Sequence, residues 1–118
     1  MTQNFSKKEL IDEAHALLMS VKGLSESLPE KNVRTIRHNL TNCLNDLPTQ
    51  IETGLKKEKK IDKIKSFVTA NSYLNECQDY LDILSHLQYY KPDDMIDRIE
   101  HIREEINSPE IIRNIEIN

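Results

Sequence analysis

LPTQIETGLKKEKKIDKIK, residues 47–65, is the stretch whose reading decides the fold. Pro48 falls inside an apolar helical pattern, Gly54 sits where that pattern ends, and a lysine run opens the next one. In a continuous helix residue 48 would donate its N–H to the carbonyl of Leu44. Proline has no N–H and its ring crowds the preceding turn, so a kink or a brief break is expected there. Gly54 is placed for a left-handed C-cap. The stretch therefore reads as a hinge and turn, with two helices before it and two after it.

Working outward, Val33, Ile36, Leu40, Cys43, Leu47 and Ile51 recur at steps of three and four, which puts them on one side of a second helix. At about 100° per residue the opposite side carries Thr35, His38, Asn42, Asn45, Thr49 and Thr53, none of them a firm charge at neutral pH. A solvated helix back normally carries Lys and Glu, which are better helix formers than Thr and Asn. Two readings stand. The stripe is an ordinary polar surface, or another subunit or a central opening covers it, so that charge is excluded while hydrogen bonding is kept.

After Gly54, residues 56–65 place Lys56, Lys57, Lys59, Lys60, Lys63 and Lys65 against only Glu58 and Asp62. One reading is a solvated turn and first helical face; the other is contact with an anionic partner, phosphate backbone in particular. No aromatic residue is interleaved to stack bases, so single-strand stacking is not the mode. The third helix follows, with Ile61, Ile64, Phe67, Ala70, Leu74, Cys77, Leu81 and Leu84 as its core stripe. Tyr73, Tyr80 and Leu87 edge that stripe, and Ile83 and Tyr90 project to the far side as candidates for a subunit contact.

Toward the N-terminus, Ser6-Lys7-Lys8-Glu9 is a capping box, with Phe5 placed to staple onto Leu10. Leu10, Ala14, Leu17, Val21, Leu24 and Leu28 then form one seam, widened by Ile11 and Leu18, until Pro29 closes the first helix or opens the next. Toward the C-terminus, Pro92 with Asp93 and Asp94 starts a fourth helix carrying Met95, Ile99, Ile102 and Ile106. Asn107-Ser108-Pro109-Glu110 breaks it, and Ile111, Ile112, Ile115 and Ile117 follow, either as a last capped turn or as an arm on a neighbour. The expected organisation is a single four-helix-bundle domain over residues 1–107 and a C-terminal tail or short helical extension over 108–118.

Composition agrees with few long helices. The 118 residues hold 2 Gly and 4 Pro, too few for the turns an all-β chain needs, and 31% are charged, as solvated helix faces require. A net charge of -4 makes any nucleic-acid contact local, since a general electrostatic coat calls for a basic protein. Cys43 and Cys77 read as buried thiols, a disulfide across antiparallel helices being the alternative. The polar N-terminus and the absence of an apolar run of about 18 residues point to a soluble, cytoplasmic protein without a membrane role.

No chemistry-bearing motif emerges. His15, His38, His86 and His101 fall on four different helices without a Cys or second His at three or four residues, and Asp12 with His15 has no second copy to complete a metal site. Neither a glycine-rich phosphate loop nor a serine elbow is present. No catalytic residue, metal or cofactor is therefore expected.

The order of Leu28-Pro29-Glu30-Lys31, Leu47-Pro48-Thr49-Gln50-Ile51-Glu52-Thr53-Gly54, Lys59-Lys60 and then Phe67, Ala70, Leu74, Glu76, Leu81, Leu87 and Tyr89 resembles the four-helix-bundle family of 23S rRNA intervening-sequence proteins, also labelled S23 ribosomal proteins. The accessory variability proteins of diversity-generating retroelements are related to that family. The resemblance spans about residues 10–105. It implies an antiparallel up-down-up-down bundle that assembles into a ring-shaped homo-oligomer, commonly a pentamer, without enzymatic activity. In the retroelement branch it also implies a reverse transcriptase and nucleic acid as partners. The alternative function is a protein–protein adaptor or assembly module that touches no RNA or DNA.

Overall fold

The computed structural model describes residues 7–29, 31, 33–91 and 94–108. Among them are the helices α1 (Lys7–Ser27), α2 (Arg34–Asn42), α3 (Leu47–Lys56), α4 (Lys60–His86) and α5 (Asp94–Ile106), and no strand. The expected capping box and staple at Phe5 and Ser6, the Pro92–Asp93 turn and the isoleucines of the tail lie outside the described residues.

The second helix does break, and the break has the cause expected of Pro48. Residues 43–46 form a turn in which the Leu47 N–H donates to the Leu44 carbonyl at 3.1 Å, serving the acceptor that Pro48 cannot. Pro48 then occupies the first turn of α3, where a missing N–H costs nothing, and the Gln50 N–H donates to Asp46 at 2.9 Å to start the new helix. With α2 and α3 counted as one interrupted rod, four rods enclose one core. α1 packs on this rod and on α5, and α4 packs on the same two. Leu10, Leu17, Leu40, Leu44, Leu47, Ile51, Leu74, Leu81, Leu84, Ile99, Ile102 and Ile106 are the large side chains fully buried there. The particle measures 51 × 26 × 19 Å, elongated along its helices.

Gly54 departs from expectation. No glycine among the described residues has a positive φ, and Gly54 stays inside α3, which runs on to Lys56. Its lack of a side chain serves packing: a Cβ built there would stand 2.7 Å from Phe67 Cε1 and 3.1 Å from Ser66 Cβ. The glycine therefore sets how closely α3 lies on the first turns of α4.

At its far end α4 stops in a Schellman arrangement without glycine. Gln88 takes a left-handed φ of 68°, its N–H donates to Ser85 at 3.0 Å, and the Tyr89 N–H reaches Leu84 at 2.8 Å. This reversal corrects the expected position of Tyr90. A helical projection carries it to the far side, but the chain turns back at Gln88 and Tyr90 enters the core at 8% exposure. A left-handed glutamine costs about 1 kcal/mol that glycine does not pay. Gln88→Gly is expected to raise the melting temperature by roughly 3–6 °C in a thermal melt.

Ile61, expected at the head of the α4 stripe, is instead 60% exposed. α3 meets α4 over Ser66 and Phe67, so the covered side at this end runs through Lys63, Ser66 and Phe67 and leaves Ile61 on another flank. A polar lock joins the ends of α1 and α2. Buried Ser25 donates from Oγ to the Arg37 carbonyl at 2.9 Å and lies against Thr41 Oγ1, while Arg37 Nε donates back to the Ser25 carbonyl at 2.9 Å.

Candidate functional site

The lysine run occupies the connection from α3 to α4. Lys57 ends α3 with extended dihedrals of -67° and 141°, and Lys59 opens α4 at -80° and 133°. Between them the chain makes a short exposed elbow at the positive end of the α4 dipole. Lys56, Lys57, Lys59, Lys60 and Lys65 are exposed. Lys56 meets Glu52 at 3.5 Å, an i, i+4 surface pair that screening holds to a few tenths of a kcal/mol.

Lys63 is placed differently from the other five. It is only 9% exposed, and desolvation, with the repulsion of Lys7 second, holds its pKa below the ordinary lysine range. Between its folded and unfolded pKa values the unfolded chain binds more protons, so this group makes stability rise with pH through that alkaline window. Lys63→Met is expected to stabilise the fold at neutral pH, with the gain shrinking toward about pH 10, as thermal melts at the two values would show.

The influence of Lys7 on Lys63 brings the start of α1 to the same end of the molecule. Lys7, itself exposed, thus lies near Lys63 at the foot of the lysine elbow. Local spacing places Lys7 only in the capping box; the signal that finds it is that antiparallel rods return the chain to its starting end.

Thr35, His38 and Asn42 lie exposed on α2, Asn45 in the turn, and Thr49 on α3, with Thr53 half-buried. The stripe thus continues across the break. Asn42 Nδ2 donates to the His38 carbonyl at 3.0 Å, and Asn45 Nδ2 to Asn42 Oδ1 at 3.0 Å, so both amides also tie together the backbone where the rod is interrupted. Ile83 is 43% exposed and available to a contact; Tyr90, as a core residue, is not beside it.

A cleft of about 440 Å³ opens between α1 and α5, lined by Glu13, Ala16, Asp94, Asp97, Arg98 and His101. His101 Nε2 stands 3.1 Å from Glu13 Oε1 and 3.7 Å from Glu105 Oε1, and Arg98 donates to Ser20 Oγ at 3.1 Å. Glu105 is a neighbour of His101 at i, i+4 on α5, whereas Glu13–His101 and Ser20–Arg98 join residues far apart in sequence that no local spacing announces. Among the described residues no group of three or more His, Cys, Asp or Glu side chains is arranged to hold a metal ion.

Cys43 and Cys77 are both buried and free. The Cys43 thiol donates to the Leu40 carbonyl at 3.3 Å, and the neighbouring Cys43 together with burial pushes the Cys77 thiol far above its ordinary pKa and keeps it protonated. No helix among the described residues is long and apolar enough to cross a membrane. Comparison with protein-family models, curated proteins and solved structures yields no match.

Proposed function

We propose that the chain is a non-enzymatic, ring-forming four-helix bundle of the 23S rRNA intervening-sequence type, which contacts RNA or DNA through Lys56, Lys57, Lys59, Lys60 and Lys65, in the manner of a reverse-transcriptase accessory factor. The observation that carries the contact is the elbow of exposed lysines with Lys7 close by, in a molecule otherwise rich in acid. Phosphate contacts from such an elbow position a partner without reading its bases.

The up-down-up-down course is supported by the order of cross-links. Glu13 pairs with His101 and Ser20 with Arg98, so position falls along α5 as it rises along α1. Likewise Arg103 binds Asn75 Oδ1 at 2.9 Å and Gln78 Oε1 at 2.8 Å, while Asn107 meets Asn71 at 3.2 Å. The ring, a pentamer by the family resemblance, would close over the uncharged back of α2 and α3. Asn42→Glu with Asn45→Glu is expected to lower the mass seen by light scattering to that of a smaller species. An unchanged oligomer mass would sink this assignment.

The second reading is a protein-binding assembly module that touches no nucleic acid. It is favoured by the inward turn of Lys63 and the pairing of Lys56 with Glu52, which weaken the basic elbow. A mobility shift on a structured RNA at low salt separates the two. A shift supports the first reading; a stable oligomer with none supports the second.

A further inference from the structure

Two buried thiols lie side by side and take no part in the lysine elbow or in the uncharged stripe. Cys43 sits in the turn where the second rod is interrupted and Cys77 inside α4; they are 7% and 0% exposed, and both are free. The register of the two rods brings them together. Cys43 acts electrostatically on Cys77 and on Tyr80, one turn further along α4, and Asn39, one turn before Cys43, reaches Tyr80 as well. Position therefore falls along α4 as it rises along α2, with 39 against 80 and 43 against 77.

The two thiols differ in access. Around Cys43 the rod is weakly held: the Asn45 and Leu47 N–H groups donate back only three residues, at 3.2 and 3.1 Å, Pro48 has no N–H, and Asn45 and Asp46 are exposed. Stretches with few backbone hydrogen bonds open locally before the rest of a fold. Opening there uncovers the Cys43 sulfur, while Cys77, inside an unbroken helix, stays covered and protonated.

We propose that Cys43 and Cys77 are a reversible redox pair, which hydrogen peroxide converts into a disulfide tying the α2–α3 turn to α4. Cys43 reacts first. Its sulfur attacks one peroxide oxygen, the O–O bond breaks, and the departing hydroxide takes the thiol proton and leaves as water, so that Cys43 becomes a sulfenic acid. The Cys77 sulfur then attacks the Cys43 sulfur; the S–O bond breaks and the hydroxide leaves with the Cys77 proton as a second water. In all, two thiols lose two electrons and one peroxide is reduced to two waters. A dithiol reverses the step by exchange. Closing the chain between residues 43 and 77 removes freedom from the unfolded state and pins the rod at its interruption.

The test exposes the folded chain to dilute hydrogen peroxide, alkylates the remaining thiols under denaturing conditions and maps the peptides. A peptide pair joined through Cys43 and Cys77 is expected, abolished by dithiothreitol and accompanied by a rise of roughly 10 °C in melting temperature. The linked pair is read rather than the whole mass, because Met19, 67% exposed, takes up oxygen from the same reagent. Cys77→Ala gives a second reading: without a partner thiol, Cys43 is expected to stop at the sulfenic acid and to be labelled by dimedone. Recovery of both cysteines of the parent as alkylated thiols, a disulfide only between copies, or a linked chain that melts no higher than the reduced one would overturn the proposal.

Discussion

Gly54→Ala is expected to destabilise the protein, although the same change in most helices stabilises. Inside a helix, alanine is favoured over glycine by about 1 kcal/mol. Here that gain meets a collision, because the new methyl would lie 2.7 Å from Phe67 Cε1 and 3.0 Å from Cδ1, and Phe67 is itself a core residue only 4% exposed. Overpacking of this kind costs about 1–3 kcal/mol. α3 and α4 share the most extensive helix pairing of the chain, so the strain falls on its principal contact. The net cost is then up to about 2 kcal/mol, a drop in melting temperature of up to roughly 10 °C. Phe67→Leu in the alanine background removes the nearest ring atom and should recover part of the loss. A variant as stable as the parent would mean that α3 and α4 are not held this closely.

Gly54 also shows where sequence reading stops. Its position after an apolar pattern suggested a cap, which is a local property. Its actual role depends on Phe67, which the chain brings back from thirteen residues further on, and no periodicity announces that approach. By contrast the break near Pro48 was legible, because the missing N–H and the Leu44 carbonyl it leaves unserved lie within one turn. The long stripe of α4 was legible from Phe67 to Leu84 for the same reason, its spacing being fixed by the helix itself.

The misplacements fall where helical projection no longer holds or where a neighbour decides burial. Tyr90 lies beyond the left-handed turn at Gln88, so the angle assigned to it had no meaning. Ile61 keeps its helical phase, yet α3 covers the side through Lys63 and Ser66 and leaves Ile61 exposed. The candidate site divides in the same way. Five of the six elbow lysines could be read from their run alone, while the inward turn of Lys63 and the arrival of Lys7 are products of packing.

The larger functional effect is expected from the elbow. Lys56, Lys57, Lys59, Lys60 and Lys65 lie on one exposed connection, and binding to phosphate backbone releases counterions from the nucleic acid in proportion to the contacts made. Five such contacts give a slope of about -4.5 in log affinity against log salt on duplex segments, so affinity should fall steeply across the physiological range. Substituting all five by Gln removes the positive groups while keeping an unbranched polar side chain of similar helix propensity at exposed positions, so the fold is expected to stay in place. Affinity is then expected to fall roughly 100-fold or more at low salt, with the slope flattened. Circular dichroism and melting of the same variant should match the parent, separating lost binding from lost structure.

One titration joins these expectations. Fluorescence anisotropy of a structured RNA, measured with the parent chain and with the five-glutamine variant over a series of salt concentrations, tests the nucleic-acid role and its location together. The expected result is tight, steeply salt-dependent binding by the parent and its loss in the variant. Equal binding by both proteins would contradict the site, and no binding by the parent at low salt would contradict the proposed function.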